Sequence, residues 1–295
     1  MALIYHYCSP YTFQQIIERK KLWLSSTSNM NDFSEEKWFL DIIYNVLERY
    51  ENELERPWCD VVRKGLEDNF RPSYITCFSK SKDLLSQWRA YAENGLGVAI
   101  GFESDEFALT MTKPTEIDGK LGNRVVAQLA LQDVIYMSED KVIDGFAAFA
   151  IDWKREGKGI FHDVLEGEAL RNANAAQFTM TCEQWTVMHK NPAFSEENET
   201  RLIYRPTYAN WVDPERPFMN LERKKEALLD AFDGLKYRIS DGFLTSYFEY
   251  PFNSVAIKKV VLGPRNKFAE SDLKDFLLLN DMRHVEIERS SATYR

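Results

Sequence analysis

The sequence predicts an α+β fold: a mixed, mostly antiparallel central sheet with flanking helices and a helical insertion in the middle third. Three observations lead there. Short runs rich in branched and aromatic residues are interleaved irregularly with stretches of helical spacing. The stretch from 140 to 188 reads as mostly helical. No internal repeat or low-complexity tract interrupts the pattern. A single domain over 1–295 is therefore expected, with 138–190 as an insertion or lid within it.

"ALIYHYC" has the composition of a strand, and Ser9-Pro10 reads as a helix cap followed by proline in the first turn. Phe13, Ile16 and Ile17 form an apolar stripe, which predicts a helix over 11–20, and "KLWLSS" predicts the next strand. From Phe33 the positions Trp38, Phe39, Ile42, Ile43, Val46, Leu47 and Tyr50 keep helical spacing, with an end expected near Pro57. A second helix is expected through 61–66. "SYITCFS" is a buried-type strand, Ser81 is expected to cap a helix "KDLLSQWRAYA", and "GVAIGF" is a strand after the Asn94-Gly95 stop. "NRVVAQLALQDVIYM" predicts one long strand or two paired ones. Beyond the helical middle, strand character returns at Thr200, in "FLTSYFEY", in "AIKKVVLG" and in "HVEIE", with a helix in "AESDLKDFLLLN".

At 295 residues, 44 % hydrophobic and 14 % aromatic, the chain can bury a large core, which excludes a disordered protein. A net charge of −9 argues against a generic nucleic-acid or anionic-membrane binder. Cys8, Cys59, Cys77 and Cys182 are scattered without a CxxC pair, so neither a zinc site nor a disulfide framework is indicated. With no apolar leader or bilayer-length run, a reduced, cytoplasmic protein without membrane partners is expected.

Some familiar motifs fail on inspection. "NGLGVAIGF" has a glycine rhythm, but a helix precedes it and a strand follows, the reverse of a dinucleotide fingerprint. "REGKG" lacks the ending of a phosphate-binding loop. His162 and Glu166, four residues apart, have no further histidine at ligand spacing, so no metal is expected.

Three stretches can carry chemistry. His6 on the first strand and Ser25-Ser26-Thr27-Ser28 closing the second would set an imidazole and hydroxyls near one cleft, a group suited to a ribose or an amide. The alternative is a satisfied core histidine beside turn-capping serines. In "SQWRAYAENGLG", Trp88 and Tyr91 share a helical face with Leu84, which suits a core, while Arg89 points elsewhere and could meet a phosphate or pair with Glu93. In "FSEENETRLIYR", Glu197 and Glu199 fall on one side of a strand if it already begins there. Paired carboxylates in a cleft can hold a ribose hydroxyl or stabilise an oxocarbenium cation; the alternative is an exposed acidic turn with Arg201 paired to one of them.

Taken in order, "YHYCS", "KLWLSS…ND", "CFSKSKDLLSQWRAYAENGLGVAIGF", "PAFSEENETRLIY", "VVLGPRN" and "SSATYR" resemble a bacterial family of unknown function, number twenty-nine seventy-one, nearly end to end. The family's Asn-Asp-Pro turn is Asn31-Asp32-Phe33 here, and its Glu-Trp-Arg is Glu199-Thr200-Arg201. More distantly, a histidine on a first strand, hydroxyls on a second and a glutamate on a later one resemble the ADP-ribosyltransferase site. That resemblance implies NAD as co-substrate and a role in toxicity or phage defence. His6, with Tyr7 beside it, would hold the nicotinamide ribose, and Ser25 or Thr27 would lie near the nicotinamide. Glu199, with Glu197, would bind the ribose hydroxyl and stabilise the cationic transition state. The superfamily's His-Gly-Thr is His6-Tyr7-Cys8 here, and Tyr7 denies the backbone the clearance of glycine. Two other functions stay open: a non-enzymatic nucleotide- or protein-binding module that would lean on Trp88 and Arg89, and a carboxylate–metal nuclease or hydrolase using Asp32, Glu35 and Glu199.

Overall fold

Ser9 starts the first helix as its chemistry suggests. Its hydroxyl accepts a 3.0 Å hydrogen bond from the Thr12 amide, and Pro10 occupies the first turn, where no N–H is needed. This helix, α1 (Pro10–Arg19), buries Phe13, Ile16 and Ile17 and stops at Lys20 in the left-handed region. It joins β1 (Leu3–Cys8) to β2 (Lys21–Ser26). The computed structural model describes residues 3–29, 33–69, 72–117, 120–156, 165–206, 221–240 and 242–292. Asn31, Asp32 and His162 lie outside these, as does the side chain of Glu35.

Next come α2 (Phe33–Arg49), α3 (Glu51–Leu54) and α4 (Arg56–Asn69). Pro57 opens α4 instead of closing the helix before it, because a first-turn position needs no amide donor. β3 (Tyr74–Ser79) leads to α5 (Leu85–Tyr91), which begins four residues later than the cap expected at Ser81. The Ser81 carbonyl instead accepts from the Tyr7 hydroxyl. β4 (Val98–Glu103), β5 (Thr110–Ile117), β6 (Lys120–Asp133) and β7 (Ile135–Tyr136) follow, then α6 (Glu139–Arg155) and α7 (Gly167–Thr186). The chain continues through β8 (His189–Lys190), β9 (Glu199–Tyr204), α8 (Leu221–Asp230), β10 (Lys236–Ser240) and β11 (Phe243–Pro251). It ends with β12 (Ile257–Leu262), α9 (Glu270–Leu279) and β13 (Glu286–Arg289).

The sheet is mixed and mostly antiparallel, as expected; within it only the β12–β13 pair runs parallel among the described residues. It branches at β3. One edge of β3 pairs with β9 along its whole length, from Tyr74↔Tyr204 to Ser79↔Glu199. The other edge is shared: β2 takes the Tyr74–Ile75 end, and β1 meets it only at Tyr5↔Ser79. β2 continues outward to β11 and β10, β1 to β4, β12 and β13, and β9 to β6 and β5. The two neighbours therefore diverge opposite Thr76–Phe78, where among the described residues no strand pairs with β3 on that edge.

One core lies on the face of Ile4, Tyr74, Phe78 and Leu202, closed by Phe13 and Leu273 of α1 and α9. A separate apolar cluster joins α2, α4, α6 and α7 through Phe39, Trp58, Phe146 and Phe178. The helices of the middle third thus pack with those between β2 and β3. Ile75 and Ile203, with Val187 beside them, form a small cluster on the opposite face of β3 and β9. Gly97 explains part of the glycine rhythm: a Cβ there would sit 2.0 Å from the Cys8 carbonyl oxygen, so only glycine lets β4 start beside β1.

Candidate functional site

At the divergence of β1 and β2, side chains bond backbone carbonyls of β3 and β2. His6 Nδ1 lies 3.0 Å from the Cys77 carbonyl oxygen, and Thr76 Oγ1 donates to the Trp23 carbonyl at 2.6 Å. A carbonyl only accepts, so Nδ1 carries the proton and Nε2 of the neutral ring is an acceptor. Burial lowers the His6 pKa from its ordinary value, against a smaller opposing effect of the Cys77 bond. The imidazole is therefore neutral at physiological pH.

A cavity of about 310 Å³ opens at this gap. His6 and Tyr7 of β1, Ser25 of β2, Cys77 of β3, and Glu197 and Glu199 all line it. Trp23, Arg238 and Thr245 line it from the β2, β10 and β11 side, and Gln87 and Tyr91 from α5. Three expected residues lie elsewhere. Thr27 is buried, its hydroxyl accepting from the Ser73 amide at 3.2 Å. Trp88 is fully buried against Tyr7, with its indole N–H on Asp83 at 2.6 Å. Arg89 is exposed on α5 and does not line the cavity. Tyr7 lines it with its hydroxyl engaged: it donates to Ser81 and accepts from the Leu84 amide.

The carboxylates are not an exposed acidic turn. β9 begins at Glu199, so Glu197 sits at the end of the short 3-10 helix before it (Pro192–Glu197), and Asn198 in the left-handed region lies between them. Simple strand alternation therefore does not align the pair; Lys190 does. Its Nζ lies 2.7 Å from the half-buried Glu197 and 3.4 Å from Glu199, and is buried with Glu199. Arg201 forks onto Glu199, with Nε at 2.7 Å and Nη2 at 3.0 Å. Burial alone would raise the Glu199 pKa, but Arg201, Lys190 and a bond from the Cys77 thiol outweigh it and hold the carboxyl below its usual range. Its amide donates to the Tyr136 hydroxyl at 3.0 Å, which fixes the start of the strand. The cavity thus carries the ionised Glu199 carboxylate, with Glu197 close to it across Lys190, and a neutral imidazole.

At the other end the Arg238 guanidinium stacks 4.8 Å over the Trp23 ring and donates to Ser25 Oγ at 3.3 Å. The sequence signal for Arg238 is the alternation in "KYRIS", which places 236, 238 and 240 on one side of a short edge strand. Among the described residues no cluster of three or more His, Cys, Asp or Glu could hold a metal ion, and no helix is long and apolar enough to cross a membrane.

The architecture and the cavity define a mixed α/β protein with a branched sheet and a cleft at the branch. The model of a family described as "Protein of unknown function (DUF2971)" matches residues 87–202, about 40 % of the chain. The match is narrower than the end-to-end resemblance expected from the motifs: it covers Gln87, Glu197, Glu199 and Arg201 but not His6, Ser25 or Arg238. Neither the curated proteins nor the solved structures compared give a match to this chain.

Proposed function

We propose that the cleft binds a nicotinamide nucleotide and that the chain is an ADP-ribosyltransferase-like enzyme that breaks the bond between nicotinamide and ribose. The observation that carries this reading is that His6, Ser25, Glu197 and Glu199, from opposite ends of the first two hundred residues, line one cavity. In this reaction nicotinamide leaves as a neutral base with the bonding electron pair, and positive charge passes to the ribose. Water or an acceptor then adds at that carbon and loses a proton. The Glu197–Glu199 pair would accept the ribose hydroxyls and stabilise the developing cation. The neutral His6 ring would accept a ribose hydroxyl proton at Nε2, and the hydroxyl of Ser25 is available to the nicotinamide side. The cavity volume stands at the low end of the roughly 300–1,000 Å³ of ligand pockets, so it would enclose the nicotinamide half and leave the adenosine outside. Such chemistry would suit a toxin or phage-defence effector.

One observation favours a second reading: Glu199 is already matched by Arg201 and Lys190, as in a site built to bind without turning over. Incubation of purified protein with NAD separates the two. The enzyme reading predicts free nicotinamide, lost in Glu197→Gln while that variant still unfolds cooperatively from a folded state. Thermal stabilisation by NAD with no nicotinamide released would establish the binding module instead.

A further inference from the structure

Resting on the reading that the cleft holds a nicotinamide nucleotide, we propose that Gln87 binds the carboxamide of the nicotinamide ring and makes the site selective for the amide over the acid. The start of α5 is fixed to β1 at two points. The Leu84 amide donates to the Tyr7 hydroxyl at 3.0 Å, and the Trp88 ring packs edge-on against Tyr7 while its indole N–H donates to Asp83. Trp88 and Ala92 are buried in the cluster around Tyr5 and Tyr7, which leaves Gln87 and Tyr91, four residues apart, on the face that lines the cavity. Gln87 is 9 % exposed, and among the described residues no hydrogen bond engages its carboxamide. A buried amide facing a hollow without a partner is costly unless a guest bonds to it.

The lining beside Gln87 is aromatic. Tyr5 and Tyr7 of β1 and Tyr91 of α5 line the same cavity, and the Tyr7 hydroxyl is already given to Ser81. A flat ring suits such surroundings. A carboxamide sets an N–H donor beside a carbonyl acceptor, and a second carboxamide is its complement, returning one bond for each. β1 and β2 flank the gap beside β3, whereas Glu199 lies on β9 at the other edge of β3. A ring seated in the gap therefore meets Gln87 from the β1 side and the Ser25 hydroxyl from the β2 side, and the ribose keeps the glutamates. A nicotinate carboxylate offers acceptors only. It would set an oxygen against the Gln87 carbonyl and bring a further negative charge into a cavity that already holds ionised Glu199.

The test titrates the full chain with nicotinamide, nicotinate and 3-acetylpyridine in separate calorimetry runs, and assays release of nicotinamide from NAD alongside. Nicotinamide should bind the wild type about tenfold or more tighter than nicotinate, because a site built around a hydrogen-bonding group rejects the analogue that cannot pair with it. 3-Acetylpyridine, which keeps the carbonyl but has a methyl in place of the amide nitrogen, should fall between them. Gln87→Met, close in length and without donor or acceptor, should bind nicotinamide about tenfold more weakly and lose the preference for amide over acid. The ligand series probes the wild type by itself, so early melting of Gln87→Met leaves the comparison standing. Equal affinity for nicotinamide and nicotinate in the wild type, equal nicotinamide affinity in Gln87→Met, or no nicotinamide binding would overturn the role of Gln87. Gln87-dependent nicotinamide binding with no cleavage of NAD would uphold the subsite and refute the enzyme. Cleavage of NAD at unchanged KM in Gln87→Met would do the reverse.

Discussion

Glu199 shows how one residue serves both fold and chemistry. It is 6 % exposed and satisfies two cations that are 2 % exposed. Glu199→Gln removes the charge that Arg201 forks onto and leaves Lys190 with Glu197 alone, so it should cost about 3–5 kcal/mol by denaturant unfolding. Loss of activity in that variant would therefore say little about catalysis, and Glu197, half-buried and outside the strand, is the informative position. His6 has its own signature. Its pKa and that of His189 are lowered by burial, so each group's stabilising effect is complete above its ordinary value of 6.5 and is lost as pH falls below it. Stability should decline on acidification by up to about 1.4 kcal/mol per pH unit for each histidine. His6→Asn keeps a donor for Cys77 but cannot titrate, and should flatten that decline in melts taken across the pH series. The sequence announced His6, Ser25 and the glutamates because rare or paired polar residues stand out beside strands. It gave no notice of Lys190, which comes into play only when the turn at 192–198 brings β8 beside β9.

At the scale of elements, the gap opposite Thr76–Phe78 is maintained by side chains, which makes it testable. Thr76→Val keeps the shape and removes the 2.6 Å bond to the Trp23 carbonyl, leaving that acceptor unpaired. It should cost about 1–3 kcal/mol in chemical denaturation. Gly97→Ala should cost at least as much, since backbone and not a flexible side chain meets the new methyl. The legible elements were those with one strong periodicity: β1, α1, β2, β3, β4, β12 and α9 all fall close to where apolar spacing puts them. β5 and β10 were illegible for a shared reason. Both are edge strands whose alternate positions are exposed or half-exposed, so no apolar face writes itself into "TMTKPTEI" or "KYRIS". Arg238 was hidden with β10.

Across the whole molecule, the four cysteines report on access to the cleft. Cys8, Cys59 and Cys182 are buried, and burial pushes their thiols up, Cys59 to about 11. Cys77 is half-buried and lines the cavity. Native protein should therefore release about one equivalent in a thiol titration and all four after denaturation, with the first slowed by a bound nucleotide. Reaction of more than one thiol in the folded state would contradict the packing. The branch at β3 also orders the birth of the molecule. Walls of the cleft come from β1 and β2 at the start of the chain, from β9 near residue 200, and from β10 and β11 about forty residues later. A chain still on the ribosome and short of Lys236 has neither Arg238 nor Thr245, so whatever the hollow does is withheld until β10 and β11 have been made.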